Sequence, residues 1–227
     1  MTSFFRYPHT PHLAWLGETL PRDDKVLSRA EAEALLSGPV TVEEKLDGAN
    51  LGLSIGEDGG LRTQNRGQYL YAPYAGQFAR LAGWVAQHGH DLLGQLRPGL
   101  ILFGEWVAAR HSVSYTGLPD WFVAFDMYDV AEGEFWSTRR RDAFAEQIGL
   151  SVTPCLIHGR TTLPALEALA RQGTSLFGGA PLEGLVVRHD AGWLNERRAK
   201  LVRPGFTQAI GDHWRRRTLE WNRIGSA

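Results

Sequence analysis

The chain has 227 residues, 43% of them hydrophobic and 22% charged, with a formal net charge of −1. That composition excludes an intrinsically disordered, collagenous or coiled-coil protein, and the length suits one large domain or two small ones around a real core. A single cysteine, Cys155, excludes a disulfide scaffold or a cysteine zinc site within one chain, and the longest apolar run, Leu100 to Phe103, is far too short to span a bilayer. Residues 1–10 carry no basic-then-apolar leader, so a cytoplasmic protein is expected.

In chain order, Ser28 with Glu31 three residues on reads as a capping box, and Gly38-Pro39 ends the pattern, which predicts a helix over 29–37. Val40 to Lys45 predicts a strand. Asp47-Gly48 predicts a tight turn, with Asn50 to Ile55 returning beside that strand as a hairpin. Gly59-Gly60 predicts another turn and Leu61 to Arg66 a third strand. Residues 76–96 read as helical, 100–107 and 121–128 as buried strands, and 138–148 and 163–172 as surface helices. Val186-Val187 and Ala199 to Val202, either side of Asp190-Ala191-Gly192, predict a second hairpin. Ile210, Trp214, Trp221 and Ile224 recur at helical spacing. The mixed order of hairpins and helices predicts an α+β fold with antiparallel sheets.

Charge is uneven. Between Arg188 and Arg223 there are nine basic and four acidic residues, an excess of +5 that leaves −6 for the rest. A basic terminal segment suits a polyanionic partner, or is simply a solvated helix face. Arg215, Arg216 and Arg217 are candidate contacts to such a polyanion's backbone. Trp214 and Trp221 could stack on bases, but the face they share with Ile210 and Ile224 favours core packing. His9 and His12 have the spacing of a metal-binding pair without an obvious carboxylate, and read as a surface pair.

Six short stretches carry groups that could do chemistry, and each has a plain structural alternative. Glu44-Lys45-Leu46-Asp47-Gly48-Ala49-Asn50 sets an amine at a strand end beside a turn; a lysine becomes a nucleophile once its ammonium loses a proton. Arg66-Gly67 offers a guanidinium fork for a phosphate or a ribose, or is a surface arginine. Phe103-Gly104-Glu105 and Glu183-Gly184-Leu185 put carboxylates at the ends of apolar strands, where burial is costly without a cation or hydroxyl partner. Phe125 lies in an aromatic strand and is either core or a stacking surface for a base. Arg198 and Lys200, two residues apart on a strand, share a face and can clamp a phosphate. Taken together, an ordered lysine, arginine, glutamate, aromatic, glutamate and cation pair supplies the roles of nucleotidyl transfer.

This ordered series resembles the covalent nucleotidyltransferase superfamily of RNA ligases, DNA ligases and mRNA capping enzymes. Lys45 to Gly48 is similar to its K-x-D-G motif, and matches in family order follow at Arg66-Gly67, Phe103-Gly104-Glu105, Phe125, Glu183-Gly184 and Arg198-Ala199-Lys200, covering residues 40–206. Asn50, five residues after the lysine, resembles the type 2 phage RNA ligase branch. The first basic position of the last motif is usually lysine and is Arg198 here. Only about 24 residues follow Arg203, too few for the oligonucleotide-binding barrel of DNA ligases and capping enzymes, so a stand-alone domain over 1–227 is expected.

The resemblance implies an ATP-grasp-like nucleotidyltransferase domain with antiparallel sheets flanked by helices. It also implies ATP and Mg²⁺, with Mn²⁺ as a substitute, RNA ends as substrate, and a kinase or phosphatase partner that prepares those ends. It implies that Lys45 attacks the α-phosphate, that Glu44 and Phe125 contact adenine, and that Arg66 and Glu105 hold the ribose. Glu183, with Glu105, would bind the metal, and Asn50, Arg198 and Lys200 would line the phosphates. Two other readings stay open. One keeps the chemistry with another substrate, as a nick-sealing DNA ligase or a GTP-dependent guanylyltransferase, against Asn50 and the absent barrel. The other is a nucleotide- or RNA-end-binding module that does not ligate, against the intact Lys45, Glu105 and Glu183.

Overall fold

The computed structural model describes residues 4–18, 25–206 and 219–225. Two antiparallel sheets form its frame. The first has the strand order β10-β9-β1-β8, built from β1 (Val40–Lys45), β8 (Cys155–Gly159), β9 (Gly184–Ala191) and β10 (Leu194–Val202). The second has the order β4-β3-β2-β5-β6-β7, from β2 (Ala49–Ile55), β3 (Leu61–Gln64), β4 (Tyr69–Leu70), β5 (Leu100–Trp106), β6 (Phe122–Asp129) and β7 (Glu134–Phe135). Helices α1 (Arg29–Leu36) and α4 (Leu163–Gln172) cover the first sheet: Leu35, Leu166 and Ala170 pack with Val42, Leu185, Val187 and Leu201. Helix α2 (Leu81–Gln95) covers the second, setting Leu81, Trp84 and Leu92 against Leu51, Leu53, Leu102, Trp106 and Phe122. Each fully buried side chain of this kind stabilises the fold by about 1.5–3 kcal/mol.

Local signals decide where the elements begin. Ser28 and Glu31 form both halves of the expected capping box of α1, and Ser137 and Thr162 cap α3 (Thr138–Gln147) and α4 with their hydroxyls. The predicted turns after β2 and after β9 join hairpin pairs, β2 with β3 and β9 with β10. The third strand stops at Gln64, which leaves Arg66 on a loop.

Three expectations fail. Strands β1 and β2 are not a hairpin: β1 is paired on both sides by β8 and β9, while β2 pairs with β3 and β5 in the other sheet. With both edges of β1 taken, the chain crosses from one sheet to the other through Leu46-Asp47-Gly48. Instead of folding a tight turn, Asp47 is pinned across the crossing: its carboxylate accepts from the backbone N–H of Ser112 at 2.6 Å and of Val113 at 2.8 Å. The terminal helical stripe also fails where it can be followed. Trp221 and Ile224 lie in extended chain, bridged to Ala109 and Leu118, and Trp221 packs beside the second sheet under the guanidinium of Arg80. Ile210, Trp214, Arg215, Arg216 and Arg217 lie outside the described residues. His12 is buried rather than on the surface, because its backbone bridges Lys200 and Val26; His9 is exposed. No helix among the described residues is long and apolar enough to cross a membrane.

Candidate active site

The crossing sets Lys45 beside a cleft between the sheets. A cavity of about 350 Å³ there is lined by seven of the nine predicted residues: Glu44, Lys45, Asn50, Arg66, Glu105, Phe125 and Lys200. A second cavity of about 320 Å³ shares Lys45, Gly48 and Glu105 with the first and adds Glu183, Asp47 and His111. Lys45 therefore stands where the two meet.

The Lys45 amine is 2.6 Å from Glu183 Oε1. Burial by itself would lower the lysine; the charges of Glu183 and Glu105 outweigh it and hold the amine above its ordinary value. Burial also pushes the carboxyls up, against the pull of Lys45, to about 8 for Glu105 and about 7 for Glu183. The Gly48 N–H donates to Glu105 Oε1 at 3.1 Å, tying the crossing to β5. Two motif glycines meet a close neighbour in the protein itself, rather than leaving room for a ligand. A Cβ on Gly48 would sit 2.5 Å from the Trp106 carbonyl oxygen, and one on Gly184 would strike the Leu201 carbonyl of the paired strand.

Among the predicted site residues described, three buried acceptors have no hydrogen-bond partner in the protein: Glu183 Oε2, Asn50 Oδ1 and Glu44 Oε1. Such groups are costly without a donor or cation. Among the described residues no group of three or more His, Cys, Asp or Glu could hold a metal ion. Carboxylate oxygens still fit Mg²⁺ or Mn²⁺ chemically, since such ions are commonly held by one or two carboxylates with phosphate and water completing the shell. Glu183 and Glu105 both line the second cavity.

Other predicted residues are held by the protein in ways the spacing did not show. Glu44 lines the cavity, but its carboxylate accepts from the Leu176 N–H at 3.0 Å on the loop after α4. Arg66 donates to the carbonyls of Tyr7 at 3.4 Å and Pro8 at 3.1 Å, so the amino-terminal segment walls this side of the cleft. Phe125 is the extra residue of a β-bulge: Phe103 pairs with Asp126 and Gly104 with Ala124. Bulges break strict alternation, and here the consecutive Phe125 and Asp126 both reach Tyr7. Arg198 does not line the cleft; its guanidinium is 3.3 Å from Asp126 Oδ2 and 3.8 Å from the Phe135 ring centroid.

The wall of the cleft carries a charge network that sequence reading missed, with Glu43 and Arg188 lining the cavity. Glu43 accepts from Arg141 and from Arg188, each at 2.6 Å, and Arg188 donates to Asp126 Oδ1 at 2.7 Å. Arg141 and Arg188 also donate to the carbonyl of Phe125, at 2.6 and 3.0 Å. Burial would raise Glu43 and Asp126, but the arginines prevail and keep both carboxyls below their ordinary range. One signal was available: an aspartate inside the apolar run Phe122 to Met127 needs a cation.

Two sheets meeting at a crossing lysine, with an aromatic ring, two carboxylates and a second lysine around one cleft, define a nucleotidyltransferase-like architecture. Solved structures of an RNA ligase from Naegleria gruberi share the fold. A mutant form with ATP and Mn matches with a TM-score of 0.65 at 18% identity over 92% of this chain, and the form with PPi with 0.58 at 20% identity over 88%. Another mutant form with ATP and Mn gives 0.57 at 20% identity over 77%. The chain spans 52% to 62% of the length of these structures. The family model for RNA ligase matches residues 38–202, and the chain belongs to that family. No curated protein sequence matches it.

Proposed function

We propose that the chain is an ATP-dependent RNA ligase that joins a 5′-phosphate to a 3′-hydroxyl through a lysyl-AMP intermediate. The observation that carries this reading is the Lys45 amine, 2.6 Å from Glu183, at the junction of a cavity bearing Phe125 and Lys200 with a second, carboxylate-lined one.

In the first step the Lys45 nitrogen attacks the α-phosphorus of ATP. An N–P bond forms, the bond from that phosphorus to the bridging oxygen breaks, and pyrophosphate leaves with its electron pair. The amine must first shed the proton that the charges of Glu183 and Glu105 help it hold, and Glu183 Oε1, 2.6 Å away, is within reach to accept it. Phe125 stacks on the base, with Glu44 beside it. Arg66 and Glu105 hold the ribose, and Asn50 and Lys200 hold the phosphates. A divalent cation on Glu183 and Glu105, when bound, supplies positive charge to the phosphates. AMP then passes from Lys45 to the RNA 5′-phosphate, and a 3′-hydroxyl displaces it to close the strand. The ends this reaction needs are those a kinase or phosphatase partner would prepare.

The test is an intact mass spectrum after incubation with Mg²⁺ and ATP, with GTP in parallel. Addition of one AMP, absent in Lys45→Ala, is the expected result. A GMP adduct would point to a guanylyltransferase, and folded protein with no adduct would point to a binding module. Sealing of nicked DNA in preference to RNA would correct the substrate.

A further inference from the structure

The position of Arg198 departs from what its place in the sequence suggests. It shares a strand face with Lys200, yet only Lys200 lines the nucleotide cleft. The Arg198 side chain is one-tenth exposed, its guanidinium paired with Asp126 Oδ2 and laid over the Phe135 ring at 3.8 Å and the Tyr7 ring at 5.1 Å. The Tyr7 hydroxyl donates to the same Asp126 oxygen, and its ring meets Phe125 edge-on at 5.4 Å. Asp126 directly follows Phe125 at the bulge, where the ladder does not hold the backbone. What holds it there is the pair of arginine hydrogen bonds to the Phe125 carbonyl and the cations on Asp126.

We propose that Arg198 is a positioning residue for the base-stacking wall and makes no contact with the phosphates: through Asp126 and Tyr7 it fixes the ring plane of Phe125, and Lys200 is the phosphate-facing cation of the pair. This rests on the nucleotide reading of the cleft. The consequence is a separation of affinities. Loosening the frame costs binding of the base and leaves binding of the phosphate chain intact, since a stacked base is worth enough to change affinity by about tenfold.

The experiment is calorimetric titration of the full chain, with Mg²⁺, using two probes: the α,β-methylene analogue of ATP, which cannot transfer AMP, and inorganic tripolyphosphate. In Arg198→Lys, which keeps the charge but not the planar fork, the nucleotide analogue is expected to bind about tenfold more weakly. Tripolyphosphate affinity is expected to stay at the wild-type value. Phe135→Leu removes the ring under the guanidinium from outside the cleft, and is expected to give the same separation. Combined with Arg198→Lys it should add little, because both act on one frame. Parallel loss of both probes in Arg198→Lys overturns the proposal in favour of a phosphate contact. A lower thermal midpoint with both affinities unchanged overturns it in favour of a purely structural role. If the unmodified chain binds neither probe and forms no AMP adduct, the functional reading itself fails, a result distinct from the other two.

Discussion

Substituting Gly48 with alanine tests how closely the lysine crossing is fitted to the second sheet. The added Cβ would lie 2.5 Å from the Trp106 carbonyl oxygen and 3.0 Å from both Glu105 Cγ and Val107 Cγ1. A carbon–oxygen contact settles near 3.4 Å, so the crossing and β5 must part by about 0.9 Å. The backbone at Trp106 has no rotamer to yield; Trp106 is fully buried and anchored through its indole N–H to the Gln77 carbonyl at 2.7 Å. Overpacking of this kind costs about 1–3 kcal/mol. Parting also stretches the Gly48–Glu105 hydrogen bond, worth about 0.5–1.5 kcal/mol while the carboxyl, raised to about 8, is neutral. Displacing a reacting group by nearly 1 Å slows chemistry by about a hundredfold. The expected outcome is therefore a loss of about 1.5–4.5 kcal/mol in urea unfolding at pH 7 and a fall of about a hundredfold in the rate of AMP-adduct formation at saturating ATP. Gly83→Ala is the control: nothing lies within 4 Å of its added Cβ, it sits inside α2, and it should stabilise by about 0.5–1 kcal/mol without slowing the adduct. A folded Gly48→Ala protein that adds AMP within about threefold of the wild-type rate would refute the reasoning, because the crossing would then have the slack the geometry denies it.

Two further outcomes follow from the buried charges. Glu43→Gln leaves Arg141 and Arg188 facing each other without their shared carboxylate, and should destabilise by about 3–5 kcal/mol in urea unfolding, as removal of one member of a buried ion pair does; a midpoint at the wild-type concentration would sink the network as a stabilising element. Glu105 and Glu183 have raised carboxyls, about 8 and about 7, so between pH 4.5 and 8 the folded chain binds more protons than the unfolded chain, and stability contributed by these groups falls as pH rises through that window. The urea midpoint of the nucleotide-free chain should therefore drop from pH 5.5 to 8, and Glu105→Gln with Glu183→Gln should flatten the profile. A wild-type drop undiminished in the double variant would show that other groups titrate.

Much of the fold was legible because local physics wrote it into adjacent residues. The capping box at Ser28 and Glu31 set the start of α1. The Gly59-Gly60 and Asp190-Ala191-Gly192 turns joined strands that do pair, and the apolar run at 100–106 could only be a buried strand. The lysine, its carboxylates and the aromatic were legible too, since their residue types and order carry the chemistry. What no window of sequence contains is which edges of a strand are already taken. The Asp47-Gly48 turn signal was real in composition, yet β1 is filled on both sides by strands far along the chain, so the same residues became a crossing between sheets. The short strands β4, β7 and β8 were missed for the same reason: the first two are two residues each, and β8 is held in place by β1. The bulge at Phe125 is equally a tertiary decision. Strict alternation would send Phe125 and Asp126 to opposite faces; one extra residue against β5 lets both reach Tyr7, and Asp126 then draws Arg188 and Arg198 to itself. Sequence alone determined which chemical groups the chain carries and most of the helices and hairpins; the pairing of distant strands decided which of those groups face the cleft, because a side chain's direction depends on the partner of its strand and not on its neighbours in the chain.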